Sequence, residues 1–434
     1  MNRLVIKGGR LIDPSTGMDG LYNIYVMAGR VARVQPVDKD TTELALGAPG
    51  LDIIDATGLM VTPGFIDLHT HLREPGCEYK ETIRTGALSA AAGGFTTILC
   101  MANTNPVNDN ASITRFILRQ AEETGVNVLP IGAVSVGQNG ETLTEMAELK
   151  DAGCVALSDD GVPVSSISLM RRALEYGKSL DMPIISHAED KGLARNGVMN
   201  EGAVSTRLGL HGIPNAAEDA MVARDIILAE LTGGRLHIAH VSTRGAVLLI
   251  RAAKALGLNV TAEAAPHHLA LTDEAVAGYN TNMKMNPPLR SSSEVEALRE
   301  GLKDGTIDAV ATDHAPQSVI EKDIEFDKAA NGVVGLETAF SIIYGLVEKG
   351  VITLNEAIKA MTVGPAKAMG LDRGVIKVGA SADMAIIDLK KDWIVEPARL
   401  KSKSKNTPFA GMRLPGRVVK TIVNGRVVYD CLAE

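Results

Sequence analysis

From residue 59 to residue 370 the chain alternates short apolar runs with amphipathic stretches, a pattern that few architectures accommodate. The candidate strands are "FIDLHTH", "FTTILCM", "VNVLPIGAV", "CVALSDD", "PIISHAE", "RLHIAHV", "LNVTAEAAP" and "IDAVATDHAP". Helical stretches lie between most of them. "STRGAVLLIRAAKALG" is typical, with Ser242 or Thr243 as N-cap and Gly257 as stop. Eight strands in βα alternation predict an α/β fold, a (β/α)8 TIM-type barrel. A doubly wound sheet satisfies the alternation as well. Residues 1–58 and 371–434 read instead as strands and turns, as in "RLVIKGGRLID", "NIYVMAGRVARVQPV" and "GRVVKTIVNGRVVYD". Two β-rich ends around a different middle suggest one small β domain assembled from both termini.

Polar residues recur at the same end of these strands. His69 and His71 end the first, Asp159-Asp160 the fourth, His187 the fifth, His240 the sixth and Asp313 the eighth. His69 and His71 are two apart, so an extended strand points both the same way, about 6–7 Å apart. A barrel gathers the C-terminal ends of its strands on one face, where this fold keeps its active site. Packing alone does not deliver histidine or aspartate from five strands to one rim. Four imidazoles and two carboxylates suit two divalent ions, with zinc first among them. Such a pair holds a hydroxide and polarises a carbonyl. No G-x-S-x-G, H-E-x-x-H or G-x-x-x-x-G-K-[ST] motif competes. Alternation sends His237, three before His240, to the opposite face, against a helix. His314 points away from Asp313, His211 sits in a loop, and His267 and His268 are read first as structural.

The formal charge of −8 offers no basic footprint for nucleic acid or an anionic membrane. The uncharged stretch Thr85 to Asn108 is as long as a membrane span. Gly93-Gly94, Asn103, Asn105 and Pro106 break it into a helix end, a strand and a loop. Cys77, Cys100, Cys154 and Cys431 show no C-x-x-C pairing, and Cys100 and Cys154 lie in apolar runs as buried small hydrophobes. The opening "MNRLVIKGGR" has only three apolar residues in a row before Lys7, too few for a signal peptide. A cytoplasmic location is expected.

Taken together, "GFIDLHTHLREPG", "MANTNP", "ALSDDG", "SHAED", "HIAHVST", "APHHL", "KMNPPLR", "ATDHAP" and "SKSKNTPF" resemble the amidohydrolase superfamily, and within it the bacterial-type dihydroorotases. The resemblance spans nearly the whole chain; H-x-H marks only the superfamily, while "HLREPG", "MNPPLR" and "KNTPF" together are far more specific. It implies zinc-dependent, reversible hydrolysis of L-dihydroorotate to N-carbamoyl-L-aspartate in pyrimidine biosynthesis, through a metal-bound hydroxide. By position, His69, His71 and Asp313 would hold one zinc ion, His187 and His240 the second, and Asp160 rather than Asp159 would bridge them. Many relatives bridge with a carbamylated lysine; an aspartate here implies no such modification. Asp313 would also shuttle the proton. Arg73 and Asn103 would grip the substrate carboxylate and Asn286 the ring. Read without the family, Asn103 is equally a turn residue. The same resemblance suggests a homodimer and an association with aspartate carbamoyltransferase as partners.

The chain departs from the family at Ala102, where proline is usual, and at Ala188, where cysteine is common. Gln317 is the larger departure: the family places a histidine there, four after the aspartate, against the substrate carboxylate. Glutamine still donates a hydrogen bond but brings no charge. The following "QSVIEKDIEFDKAANG" is long and charged, as a mobile lid would be. Two other readings stand beside the first. One is another cyclic amidase, of dihydropyrimidinase, hydantoinase or allantoinase type. The other is a non-catalytic scaffold for aspartate carbamoyltransferase, whose members have lost metal ligands that this chain keeps.

Overall fold

A computed structural model describes residues 3–40 and 50–431. Eight parallel strands form one sheet in strict sequence order: Phe65–Thr70, Phe95–Cys100, Asn127–Gly132, Ala156–Ser158, Ile184–Ser186, Leu236–Ile238, Val260–Ala264 and Ala309–Val310. Just past these strands the first and last meet. His71 N donates to His314 O at 2.8 Å, and Thr70 bridges His314 in parallel. The sheet thus comes round into a barrel, and the doubly wound alternative is set aside.

The strands are nearly continuous apolar runs because both faces are covered. Ile66, Leu99, Ile131, Ala156, Ile185 and Ala309 come from six different strands yet form one buried cluster, which locates it inside the barrel. Their chain neighbours Phe65, Ile98, Leu157, Ile184 and Val310 pack outward with the helices, as does Leu236 of the sixth strand. The helix Arg244–Ala255 shows how the sequence sets these outer elements. Thr243 Oγ1 accepts from Ala246 N at its start, Gly257 follows its end at φ +74°, and Ala246, Val247, Ile250 and Ala253 form its buried stripe. Among the described residues no helix is long and apolar enough to cross a membrane; Ile83–Ala92 and Phe95–Cys100 divide the suspect stretch as expected.

A second sheet joins both ends of the chain. In spatial order its strands are Arg426–Asp430, Arg417–Val423, Met384–Asp388, Met60–Pro63, Arg3–Asp13, Met18–Met27 and Arg30–Pro36, with Leu51–Asp55 also paired to Arg3–Asp13. Met60–Pro63 is the seam: it pairs in parallel with the N-terminal strand and antiparallel with Met384–Asp388. One residue later the chain enters the first barrel strand, so this sheet anchors the root of the strand that carries His69 and His71.

Candidate metal centre

All six expected ligands are buried and converge. Asp160 stands at the middle. Its Oδ1 lies 3.3 Å from His69 Nε2, 3.3 Å from His187 Nδ1 and 3.5 Å from His240 Nε2, and its Oδ2 lies 3.5 Å from His71 Nε2. Asp313 Oδ1 sits 3.1 Å from His71 Nε2 and 3.6 Å from His69 Nε2. Two sets of donor atoms close to within 4.8 Å: His69, His71 and Asp160, and Asp160, His187 and His240. His69 Nε2 and Asp160 Oδ1 are buried without a hydrogen-bond partner. Buried polar atoms are rarely left so. Nitrogen and oxygen donors facing one space, two of them unsatisfied, fit divalent cations of the zinc type.

The backbone bends to aim these groups. His240 and Asp313 have φ of +31° and +47°, and Arg73 has +61°. Side-chain-bearing residues seldom enter that region, and three of the nine described ones that do so here belong to this site. Asp67 fixes the seam between the first and last strands: Oδ1 accepts from His69 N at 3.0 Å and from Thr312 N at 3.0 Å, and Oδ2 accepts from Thr312 Oγ1. Burial raises its carboxyl to about 7, against the pull of those hydrogen bonds. Asp159 turns the other way and accepts from Val134 N and Ser135 N at 2.8 and 3.1 Å. The doublet therefore splits, one carboxylate toward the donor cluster and one holding a loop.

Sequence reasoning placed His237 against a helix; the structure corrects this. The regular strand ends at Ile238 and His240 takes a left-handed φ, so alternation cannot be counted across residues 237 to 240. His237 pairs in register with Ile185 inside the barrel, and its Nε2 lies 3.1 Å from Glu263 Oε2. Glu263, on the seventh strand, was missed altogether. Its Oε1 is 2.8 Å from His69 Nδ1. Burial pushes this carboxyl up, but hydrogen bonds from His237 and His69 outweigh it and bring it down to about 2. A lone acid between two alanines of a core strand was the available signal.

His314 points away from the cluster as expected, toward Glu81, and His211 is an exposed loop residue. His267 and His268 lie on the short helix Pro266–Ala270. Burial lowers His267 to about 4, while His268 Nε2 donates to Pro287 O at 2.8 Å and so supports the loop that carries Asn286.

The expected substrate-binding residues ring the same face. Arg73 Nε donates to Pro316 O at 3.1 Å, and burial lowers its guanidinium from the ordinary value. Asn103 Oδ1 accepts a hydrogen bond from His71 Nδ1 at 2.9 Å, so this turn residue reaches the cluster itself. Its loop lies hard against that of Arg73: a Cβ on Gly76, at φ +101°, would stand 2.0 Å from Asn105 O. Asn286 lies against Glu189, with its own Oδ1 buried and unpartnered. Both ends of the Gln317 amide are already engaged, Oε1 by Lys80 Nζ at 2.9 Å and Nε2 by Asn331 O at 2.7 Å.

A dihydro-orotase-like family model matches residues 58–246. The dihydroorotase of Anaeromyxobacter sp. strain K is 57% identical over 431 residues, 98% of each chain. That of Citrifermentans bemidjiense is 56% identical over 429 residues, 98% of this chain and 99% of its own. Among solved structures, the L-hydantoinase (dihydropyrimidinase) of Arthrobacter aurescens superposes with a TM-score of 0.88 at 27% identity, covering 99% of this chain and 96% of its own. With relatives this similar over nearly their whole length, the chain belongs to the dihydroorotase family of enzymes.

Proposed function

We propose that the protein is a zinc-dependent cyclic amide hydrolase that opens L-dihydroorotate to N-carbamoyl-L-aspartate and runs the reverse condensation in pyrimidine biosynthesis. The observation that carries this reading is the position of Asp160 between two donor sets, each otherwise made of histidines. His69, His71 and Asp313 are the residues for one ion, His187 and His240 for the other, and Asp160 for both. Divalent ions there supply Lewis acidity and lower the pKa of a bound water to about 7.

The remaining work falls to the chain's own groups. Asp313 is the proton shuttle, a base toward the attacking water and then an acid toward the departing amide nitrogen. Arg73 and Asn103 hold the substrate carboxylate. Asn103 spends its oxygen on His71, which leaves its NH2 for the substrate. The arginine fork matches a carboxylate with paired, charge-assisted bonds. Asn286 addresses the ring through the amide beside Glu189. Gln317 closes the rim through Lys80 and Asn331. The four cysteines, all unpaired, fit a cytoplasmic enzyme.

A second reading, hydrolysis of an uncharged ring, is favoured by one observation: Gln317 stands engaged with the protein and adds no positive charge. One panel separates the two. Dihydroorotate, dihydrouracil, hydantoin and allantoin are offered to the enzyme before and after chelation. Metal-dependent turnover of dihydroorotate, well above the others, is expected. An enzyme that leaves dihydroorotate intact while opening an uncharged ring has the second activity.

A further inference from the structure

The four histidines of the centre are not backed alike. Behind His69 runs a buried chain: Nδ1 to Glu263 Oε1 at 2.8 Å, Glu263 Oε2 to His237 Nε2 at 3.1 Å, and His237 Nδ1 to Thr261 Oγ1 at 2.8 Å. Both Glu263 oxygens face ring nitrogens, so both rings donate to it. His69 therefore carries its proton on Nδ1 and turns the lone pair of Nε2 to the side of Asp160 and Asp313. His71 is backed by a neutral amide, Asn103. On the other side, His240 Nδ1 is buried without any partner. Among the described residues, Asp160 is the only carboxylate at ion-pair distance from His187 or His240. A carboxylate behind a ligating imidazole fixes its tautomer and raises its basicity; losing one typically costs 10–100-fold in metal affinity.

We propose that Glu263 and His237 are positioning residues that make the two metal positions unequal, so that the ion at His69 and His71 binds more tightly and leaves last. This rests on the two-ion reading above. Glu263 supplies the charge. His237 holds that carboxylate against His69, and Thr261 holds His237.

The test reads metal content. Full-length protein loaded with zinc is titrated with chelators of rising strength, and bound zinc is counted by mass spectrometry after each step. Wild type should pause at one ion per chain. His187→Ala should keep one ion at that same affinity. Glu263→Gln, which retains the hydrogen-bonding shape but not the charge, should weaken the retained ion about 10–100-fold and so shorten or abolish the pause. His237→Gln should move it the same way by less, and serves alone if the Glu263 variant does not fold. Three results overturn the proposal: loss of both ions from wild type in one step, a His187→Ala ion weaker than the wild-type pause, or an unchanged pause in folded Glu263→Gln. Protein that takes up no zinc overturns the two-ion reading as well. Two ions of equal strength with normal dihydroorotate turnover overturn the asymmetry alone.

Discussion

In the proposed mechanism Asp313 has two duties, and it sits in a strained position. It faces His71 and His69 through one oxygen and holds a φ of +47° that aspartate seldom adopts. Its shape and its charge can be separated, because asparagine preserves the first and removes the second. Asp313→Asn should lower kcat by roughly 10²–10⁴-fold, the usual contribution of a positioned acid–base group, while chemical denaturation shows an unchanged fold. Wild-type turnover in that variant would remove its proton role. Arg73 belongs to the same scale. Arg73→Met should raise KM for dihydroorotate by about 10–100-fold, since a hydrogen bond to a charged group contributes roughly 1.5–3 kcal/mol. Slow turnover of hydantoin, which has no carboxylate, should barely respond; equal losses on both substrates would make Arg73 a structural residue. Lys80 now completes the Gln317 network, and sequence spacing alone offered no reason to join residues 80 and 317.

At the level of elements, the segment after Gln317 is less free than its composition suggests. Its charge pattern reads as a lid, yet it contains the short helix Val319–Lys322, capped by Ser318 and Glu321. Glu321 accepts from Tyr79 Oη at 3.1 Å and pairs with Lys80 Nζ at 2.7 Å, which ties the segment to the loop after Arg73. Lys322 is buried and donates to three carbonyls, Thr281 O, Lys284 O and Ala330 O, at 3.0, 3.1 and 2.7 Å. Three acceptors match the three N–H bonds of an ammonium. Thr281 O and Lys284 O also accept from Lys284 N and Gly332 N, so Lys322→Met chiefly strips Ala330 O, at about 1–3 kcal/mol for a buried carbonyl left without a donor. Amide hydrogen exchange across residues 317–331 should speed up in that variant, with the barrel strands unaffected. Unchanged exchange would mean that the segment is held by its other ties.

The two sheets share one buried layer, although the terminal sheet also has a core cluster of its own around Ile6, Leu11, Ile24 and Ile386. Phe65, at the root of the first barrel strand, packs edge-on to Phe95 and is stacked on Phe340, with ring centroids 5.7 and 5.6 Å apart. The same buried cluster takes in Ile12, Met60, Ile387 and Val418 from the terminal sheet. Phe65→Ala should cost about 3–5 kcal/mol, the range for deleting a buried aromatic ring. Denaturant unfolding of the variant should remain a single transition followed by metal release, because both sheets lose the same packing. A separate early transition for the terminal sheet would contradict a shared buried layer.

The amino-acid sequence by itself determined the alternation of strand and helix, the strand-rich ends and the histidines and aspartates at the strand ends, the Asp159-Asp160 doublet still undivided. These are local facts: they depend on periodicities of two and 3.6 and on which residue follows each apolar run. Only the tertiary structure decided what bends and closures do with them. Barrel closure brought Asp313 from the last strand to His71 of the first. A left-handed φ at His240, after a three-residue strand, let His240 reach the cluster while His237 kept the inward face it shares with Ala239. Glu263, one acid among apolar neighbours, acquired its meaning only when three separate strands set it between His69 and His237. Spacing along a chain records which face a side chain takes within its own element, whereas its partner across a barrel depends on closure, register and backbone strain.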